Sequence, residues 1–305
     1  MLNGDGHLSL GSRLGYLALN RLRNRAPYRG VDTGLAIADF DVRDPMRLDA
    51  LAGLPSPSRA LCDLFWMQLP WAAIEGEVGP LHVLDVGCGS GRYGVSLQTW
   101  TGQRVARYVG IDRHAHADWP RLAAEHSHVS FRSGDAEAIA SLIPPDTNVV
   151  ISQSTLEHVR DDDGCFDQLH EYVHRYGRPL LQVHLVPSQA CLWTYLWHGY
   201  RQYTPRTLSA RTRRFDDCSE RLLVRLGGGA CNALHYRFIT WPVLIRRGGD
   251  RRDAEPDRYR DALRQAVAAD NGRAQRSPAF YALLIHSRVR RPLFAAGSWR
   301  VQKPR

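Results

Sequence analysis

The 305-residue chain predicts an α/β fold: a seven-stranded, Rossmann-like, mostly parallel sheet with helices on both faces. Three observations carry this. Short β-branched and apolar runs alternate with helical stretches from about residue 81 to 187. A glycine turn, Gly87-Cys88-Gly89-Ser90-Gly91, joins the first run to the helix behind it. Carboxylates then stand where the second and third runs end, at Asp112 and Asp135, the edge at which open α/β sheets take ligands.

Residues 1–75 read as an N-terminal helical extension. Leu10, Leu14, Leu17 and Leu22 recur at roughly helical spacing among Arg13, Arg21, Arg23 and Arg25. Such a helix lies on a membrane surface or on the protein's own core, and packing on the core is the expectation. Residues 39–49 are acidic and turn-like. Ser56 as N-cap, with Pro57 at the first helical position, starts a helix reaching about Leu69 with Leu61, Leu64, Phe65 and Leu69 on its apolar side.

Strands follow at 82–86, 107–112, 129–135, 148–153 and 179–185. A helix at 92–100 follows the glycine turn, and one at 165–176 is stopped by Gly177. After Pro187 the alternation breaks. Residues 188–215 form one addition, rich in aromatics (Trp193, Tyr195, Trp197, Tyr200, Tyr203), with Thr204-Pro205 opening a helix. Strands at 222–226 and 280–286 close the domain of residues 76–290. The second addition, 228–278, between them carries an apolar piece at 238–245 and a charged helix at 257–269. Residues 291–305 read as a basic, loose tail.

Composition narrows the function. The six cysteines form no C-x-x-C pair and no Cys/His group with zinc-ligand spacing, so no metal is expected. Scattered thiols, no apolar leader and no long apolar run suit a cytoplasmic protein without a transmembrane segment. The net charge of +9 is uneven. Residues 200–305 hold 22 Arg and 1 Lys against 9 acids, net +14, so residues 1–199 sum to −5. Coding bias toward arginine accounts for this, or else the C-terminal third faces an anionic acceptor. No basic motif with interleaved aromatics stands out, and nucleic acid is not expected.

The glycine turn fits two ligand classes. Gly89-Ser90-Gly91-Arg92-Tyr93-Gly94 matches the G-x-G-x-x-G dinucleotide fingerprint, which would suit an NAD(P)-dependent oxidoreductase. Asp85-x-Gly87-x-Gly89-x-Gly91 resembles the [D/E]-x-G-x-G-x-G signature of class I S-adenosylmethionine-dependent methyltransferases. Asp85 helps to separate the two. A pyrophosphate gains nothing from a carboxylate there, whereas a sulfonium and an ammonium do.

The resemblance extends over residues 78–187 and implies the seven-strand order 3-2-1-4-5-7-6 with the last strand antiparallel. It implies a cofactor site of Asp85, Gly87, Cys88, Gly89 and Gly91, with Asp112 on the ribose beside Arg113. Asp135 and Ala136, in a G-D-A segment, would hold the adenine, and Gln153 and Ser154 would line the methionine end. Leu156-Glu157-His158-Val159 is similar to the L-E-H-[VIL] segment that opens onto the acceptor. His198-Gly199-Tyr200-Arg201-Gln202-Tyr203-Thr204 is similar to an H-x-Y-R-x-[FY]-T stretch of methyltransferases acting on sugars, lipids and cell-surface glycans.

What the resemblance implies is O-methylation of a sugar, glycan or other small-molecule hydroxyl, a step of polysaccharide biosynthesis. His158 is the expected base and His198 the second choice. Glu157, Tyr200, Arg201, Tyr203 and Arg206 are the expected acceptor contacts, and peripheral membrane contact is allowed for. A non-enzymatic cofactor-binding or nucleic-acid-binding protein is the reading set against it.

Overall fold

The structure, a computed structural model, describes residues 2–294 and the backbone of 300–302. Along the chain run α1 (Leu10–Arg23), β1 (Leu35–Asp39), α2 (Pro57–Gln68), α3 (Trp71–Val78), β2 (Leu81–Val86), α4 (Arg92–Trp100) and β3 (Val105–Asp112). Next come α5 (Trp119–Glu125), β4 (Val129–Ser133), β5 (Val149–Gln153), α6 (Asp162–Tyr176), β6 (Leu180–Pro187), α7 (Cys191–Thr194) and α8 (Pro205–Thr212). Then follow β7 (Ser219–Leu226), α9 (Gly229–His235), α10 (Arg251–Ala254), α11 (Pro256–Asp270), β8 (Phe280–Ser287) and β9 (Arg300–Gln302).

One nine-stranded sheet has the order β4-β3-β2-β5-β6-β8-β7-β1-β9. Without β1 and β9 this is the expected 3-2-1-4-5-7-6, and β8 is antiparallel to both its neighbours. The sheet is two strands wider than expected. β1 pairs parallel with β7, and β9 pairs antiparallel with β1. The N-terminal extension is therefore partly sheet, and β9 lies inside the stretch read as a loose tail. Both strands are short, and their pairing partners are far away in sequence, so local pattern could not reveal them.

Side chains alternate across the sheet with period two, and both faces are covered. On β8, Phe280, Ala282 and Leu284 face a core layer with Trp66 and Phe65 of α2, while Tyr281, Leu283 and Ile285 face the layer with Phe166 and Leu169 of α6. The α2 start is as expected, with the Ser56 hydroxyl accepting from the Arg59 amide.

α1 packs differently from expectation. Its buried residues are Tyr16 and Asn20, whereas Leu10, Leu14, Leu19 and Leu22 are exposed. The Tyr16 hydroxyl donates to the His198 carbonyl at 2.7 Å and accepts from Gln202 at 2.9 Å, which turns that face inward.

Much of the charge asymmetry is spent inside the fold. Arg225 of β7 forms a bidentate pair with Asp39 of β1 at 2.8 and 3.0 Å, both residues buried. Arg221 pairs with Asp32 at 2.8 Å, and Arg264 of α11 reaches Asp49. The arginine-rich third and the acidic first two-thirds thus meet along the β7–β1 edge.

Candidate functional site

A cleft of about 650 Å³ opens at the C-terminal ends of β2, β3 and β5. That is within the usual size for a site enclosing a small ligand. Ten of the eleven residues expected to hold the cofactor line it: Asp85, Gly87, Cys88, Gly89, Asp112, Arg113, Asp135, Ala136, Gln153 and Ser154. Gly91 stands just behind and is needed for packing. Its φ is +83°, and a Cβ would meet the Phe131 ring at 2.4 Å. Gly87, at φ +76°, has the Thr155 side chain where its Cβ would be. The turn can therefore follow this path only with glycine at both points.

The cleft carboxylates sit in three environments. Asp85 is buried and accepts from the Tyr108 hydroxyl at 2.5 Å. Burial, with the nearby Asp112 charge, pushes its carboxyl up to about 7, although the Tyr108 bond resists this. Asp112 accepts from the Gly89 amide at 2.9 Å, tying the end of β3 to the glycine turn. Asp135 caps the kinked 3₁₀ segment Ala136–Ser141 by accepting from the Glu137 amide, and it pairs with Arg113 at 3.0 Å. The Gln153 side chain is held by the Trp66 indole at 2.8 Å.

Sequence reasoning missed a second set of lining residues: Arg59, Arg92, Tyr93, Thr155 and Val159. Arg92 and Tyr93 both donate to Asp63, at 2.5 and 2.8 Å, and Asp63 is fully buried in α2. Arg59 donates to the Tyr93 hydroxyl at 2.8 Å. Arg92 and Tyr93 follow the glycine turn directly and could have been found. Arg59 and Asp63 belong to a helix about thirty residues earlier, where nothing local marks them.

At the cleft rim, a one-turn helix Leu156–His158 presents His158. Its Nδ1 lies 2.7 Å from an Asp5 carboxylate oxygen, a hydrogen bond in which the ring nitrogen donates. The His198 ring stands edge-on to it with centroids 4.6 Å apart, and His198 Nδ1 is 3.5 Å from the other Asp5 oxygen. Behind both rings, Glu157 is fully buried and neither of its oxygens has a hydrogen-bond partner among the described residues. Its Oε1 lies 3.9 Å from His158 Nε2 and 3.7 Å from His198 Nε2. Burial pulls the His198 imidazole down, but the Glu157 and Asp5 charges outweigh it and its pKa is raised. Asp5 comes from the extreme N-terminus and gave no signal in the sequence.

Beside this box, a smaller cavity of about 220 Å³ is lined by Ser56, Ser58, Arg59, Gln153, Tyr195 and His198. It shares Arg59, Gln153 and Ser154 with the large cleft, so the two adjoin.

The other expected acceptor contacts are placed elsewhere. Arg201 is buried, pairs with Asp162 and donates to the Arg160 carbonyl at 2.7 Å. Tyr203 is also buried, its hydroxyl on Asp162 at 2.8 Å. Arg206 donates to the Arg23 carbonyl, and its amide to the Pro27 carbonyl, so it fastens the end of α1 to α8. Their aromatic and arginine chemistry is spent on packing because the 200–206 segment runs beneath the site. Tyr200 is half-buried, with its amide on the Glu157 carbonyl at 2.7 Å. Glu157 stays at the site, but behind the imidazoles.

The fold also assembles a His170, His174, Asp217 and Cys218 group that spacing alone did not disclose. Arg288 donates to His174 Nδ1 at 3.1 Å, which leaves the His174 Nε2–H to donate to His170 at 3.0 Å.

Comparison with known proteins places this geometry. Residues 79–198 match the family model of a methyltransferase domain. Similar solved structures include the plantazolicin methyltransferase BamL in complex with a triazolic desmethylPZN analogue and SAH. It is 16% identical, covering 80% of this chain and 89% of that one, at a TM-score of 0.44. An S-adenosylmethionine-dependent methyltransferase from Archaeoglobus fulgidus is 15% identical, covering 76% and 95%, at 0.44. The [4+2]-cyclase SpnF is 16% identical, covering 91% and 94%, at 0.46. No curated protein matches. The family match spans the strand, the glycine turn and the carboxylate-tipped edge that form the cleft, and residues 79–198 form a methyltransferase domain.

Proposed function

We propose that the enzyme O-methylates a sugar, glycan or other small-molecule hydroxyl. The observation supporting this is the Asp5–His158 pair at the cleft rim, 2.7 Å apart. When bound, S-adenosylmethionine supplies a methyl already activated on a sulfonium. The chain's own task is to align the acceptor, exclude water and take a proton. A hydroxyl must lose its proton as the methyl arrives, whereas a neutral amine need not.

Asp5 accepts from Nδ1–H and so leaves His158 Nε2 with the free lone pair. His198, whose pKa the neighbouring Glu157 and Asp5 charges raise, stands beside buried Glu157. That arrangement leaves His158 as base and His198 as its companion beside Glu157. The acceptor enters from the adjoining smaller cavity, against Tyr195 and Ser58, whose hydroxyls hydrogen-bond to each other. Activity screening over sugars, glycans and small hydroxylated metabolites, with methyl-acceptor mapping by NMR, tests the reading. Methylation found only at nitrogen or sulfur overturns it.

In this reading Asp112 holds the ribose and Asp85 faces the positive end of the cofactor. Asp112→Ala should weaken binding of S-adenosylhomocysteine by about 1.5–3 kcal/mol, the scale of charge-assisted hydrogen bonds. Calorimetry measures this, and unchanged affinity removes Asp112 from the site.

The Asp85 carboxyl titrates near 7 in the folded chain and near 3.9 in an unfolded one. Between those values the folded chain holds the extra proton, so its stability falls as pH rises through that window. Asp85→Asn keeps an acceptor for Tyr108 and removes the titration. Cofactor-free wild type should lose more melting temperature between pH 5 and pH 8 than Asp85→Asn does. Parallel losses in both proteins would remove Asp85 as the cause.

A further inference from the structure

α1 is turned inside out. Leu10, Leu14, Ala18 and Leu22, spaced four apart, form one helical stripe, and its three leucines are 75%, 61% and 52% exposed. The polar Asn20 faces the protein instead. A lone exposed leucine needs no explanation, but a whole apolar stripe on the solvent side does.

The stripe has a second component. The helix Tyr236–Ile245 continues α9 and exposes Tyr236, Trp241, Leu244 and Ile245. A groove of about 600 Å³ joins the two, lined by Arg21 and Arg25 at the α1 end, Trp193 of α7, and Tyr236. The Arg21 guanidinium lies over the Trp193 ring at 5.7 Å, and the Tyr236 and Trp241 rings are 6.3 Å apart. Nine of the exposed large hydrophobics (Leu10, Leu14, Leu19, Leu22, Trp193, Tyr236, Trp241, Leu244, Ile245) fall on these segments, against three elsewhere among the described residues.

Charge says what covers this surface. Residues 10–29 contain five arginines and no acid, and residues 236–247 three arginines and no acid. Arg21, Arg23, Arg25, Arg237, Arg246 and Arg247 are exposed, and among the described residues none of them forms a salt bridge, Arg21, Arg237 and Arg246 lying instead over aromatic rings. The α10–α11 arginines differ: Arg251, Arg252, Arg258, Arg260 and Arg264 are all paired with acids. Unpaired arginines, tryptophans at the edge and leucines outward make the composition of an interfacial membrane helix.

We propose that α1, Trp193 and the 236–247 helix form a docking surface for an anionic lipid bilayer. Leucines enter the acyl boundary, tryptophans sit at headgroup level, and arginines meet lipid phosphates. Trp193 lies on the segment that leads to His198. Resting on the acceptor-side reading of His198, the surface would present a membrane-linked acceptor to the site.

The experiment is sedimentation of the full chain, without cofactor or acceptor, with vesicles of phosphatidylcholine alone or with 30 mol% phosphatidylserine, a composition of roughly physiological charge. Binding should be at least about tenfold tighter to the anionic vesicles and fall steeply as salt rises. Leu14→Asp with Leu22→Asp, both exposed, should lose it about tenfold or more while far-UV circular dichroism and S-adenosylhomocysteine affinity stay as in wild type. Arg246→Gln with Arg247→Gln should weaken it by several-fold. Equal binding to neutral and anionic vesicles, no binding to either, or retention in the leucine variant overturns the proposal. So does a concentration-dependent dimer abolished by the same leucine changes, which would assign the surface to a second copy. None of these readouts depends on turnover, so failure here leaves the O-methylation reading untouched, and the reverse holds.

Discussion

His158→Ala should lower kcat by about 10²–10⁴-fold, the range of general-base assistance, while leaving cofactor affinity within a few-fold. The expectation follows from placement: His158 lines the cleft, its Nδ1 is held by Asp5, and its Nε2 makes no hydrogen bond to Glu157 at 3.9 Å. Asp5→Asn should cost less, because the amide still fits the space but no longer requires Nδ1–H; the free lone pair then moves between the two ring nitrogens. His198→Ala removes the imidazole beside Glu157 and should change KM together with kcat. Single-turnover rates with saturating cofactor separate these cases. Wild-type rate in His158→Ala with loss in His198→Ala moves the base to His198. Full rate in both would mean that the acceptor needs no base, and the hydroxyl reading would fall with it. Because Asp5, His158 and His198 donor atoms lie within 4.8 Å of one another, the assay should also be run after chelation. Loss of rate restored by a divalent cation would transfer the role from the proton to a metal.

What was legible in the sequence follows a physical line. β2, β5 and β6 were readable because each is a largely buried, mostly apolar run bounded by turn residues, and β3 and β4 because each leads into an acid at the cleft edge. The lining of the large cleft was readable because its residues cluster on strand ends and one turn, where backbone geometry restricts the residue types. β1 and β9 were not readable, since each is a short strand stabilised by a partner nearly two hundred residues away or more. The same limit hid Asp5 and Asp63, which reach the site only through tertiary packing. The leucine periodicity of α1 was read correctly as amphipathic, but period alone does not say which medium the apolar face meets. Here Tyr16 and Asn20, with hydrogen bonds to offer, took the inward position. The HGYRQYT stretch misled for a related reason. Aromatics and arginines suit both recognition and a buried polar pin, and only the position of Asp162 beneath the segment shows which is present.

That pin yields the largest stability effect expected. Asp162 stands at the start of α6, almost fully buried, and accepts from Arg211 Nε and Nη2 at 2.6 and 3.0 Å and from the Tyr203 hydroxyl at 2.8 Å; Arg201 completes the group. Burial alone would raise its carboxyl, but the Arg211 hydrogen bonds and the two guanidinium charges outweigh that and hold it below the usual range. Asp162→Ala would remove the main counter-charge of Arg201, 6% exposed, and of mostly buried Arg211, which keeps Asp163 at 3.7 Å. Removing one partner of a buried ionic group costs about 3–5 kcal/mol. Urea denaturation should show that loss, with binding of S-adenosylhomocysteine intact at low denaturant. A depressed carboxyl contributes stability above its unfolded pKa and loses it as pH falls through the folded one. Wild type should therefore lose stability on acidification toward pH 3, and Asp162→Ala should lose less over the same range. Arg201→Ala should act in the same way, lowering stability rather than raising KM selectively. A stable Arg201→Ala enzyme with a KM defect would return Arg201 to the acceptor. A cost below about 1 kcal/mol for Asp162→Ala would mean that water reaches the group and replaces the pairing.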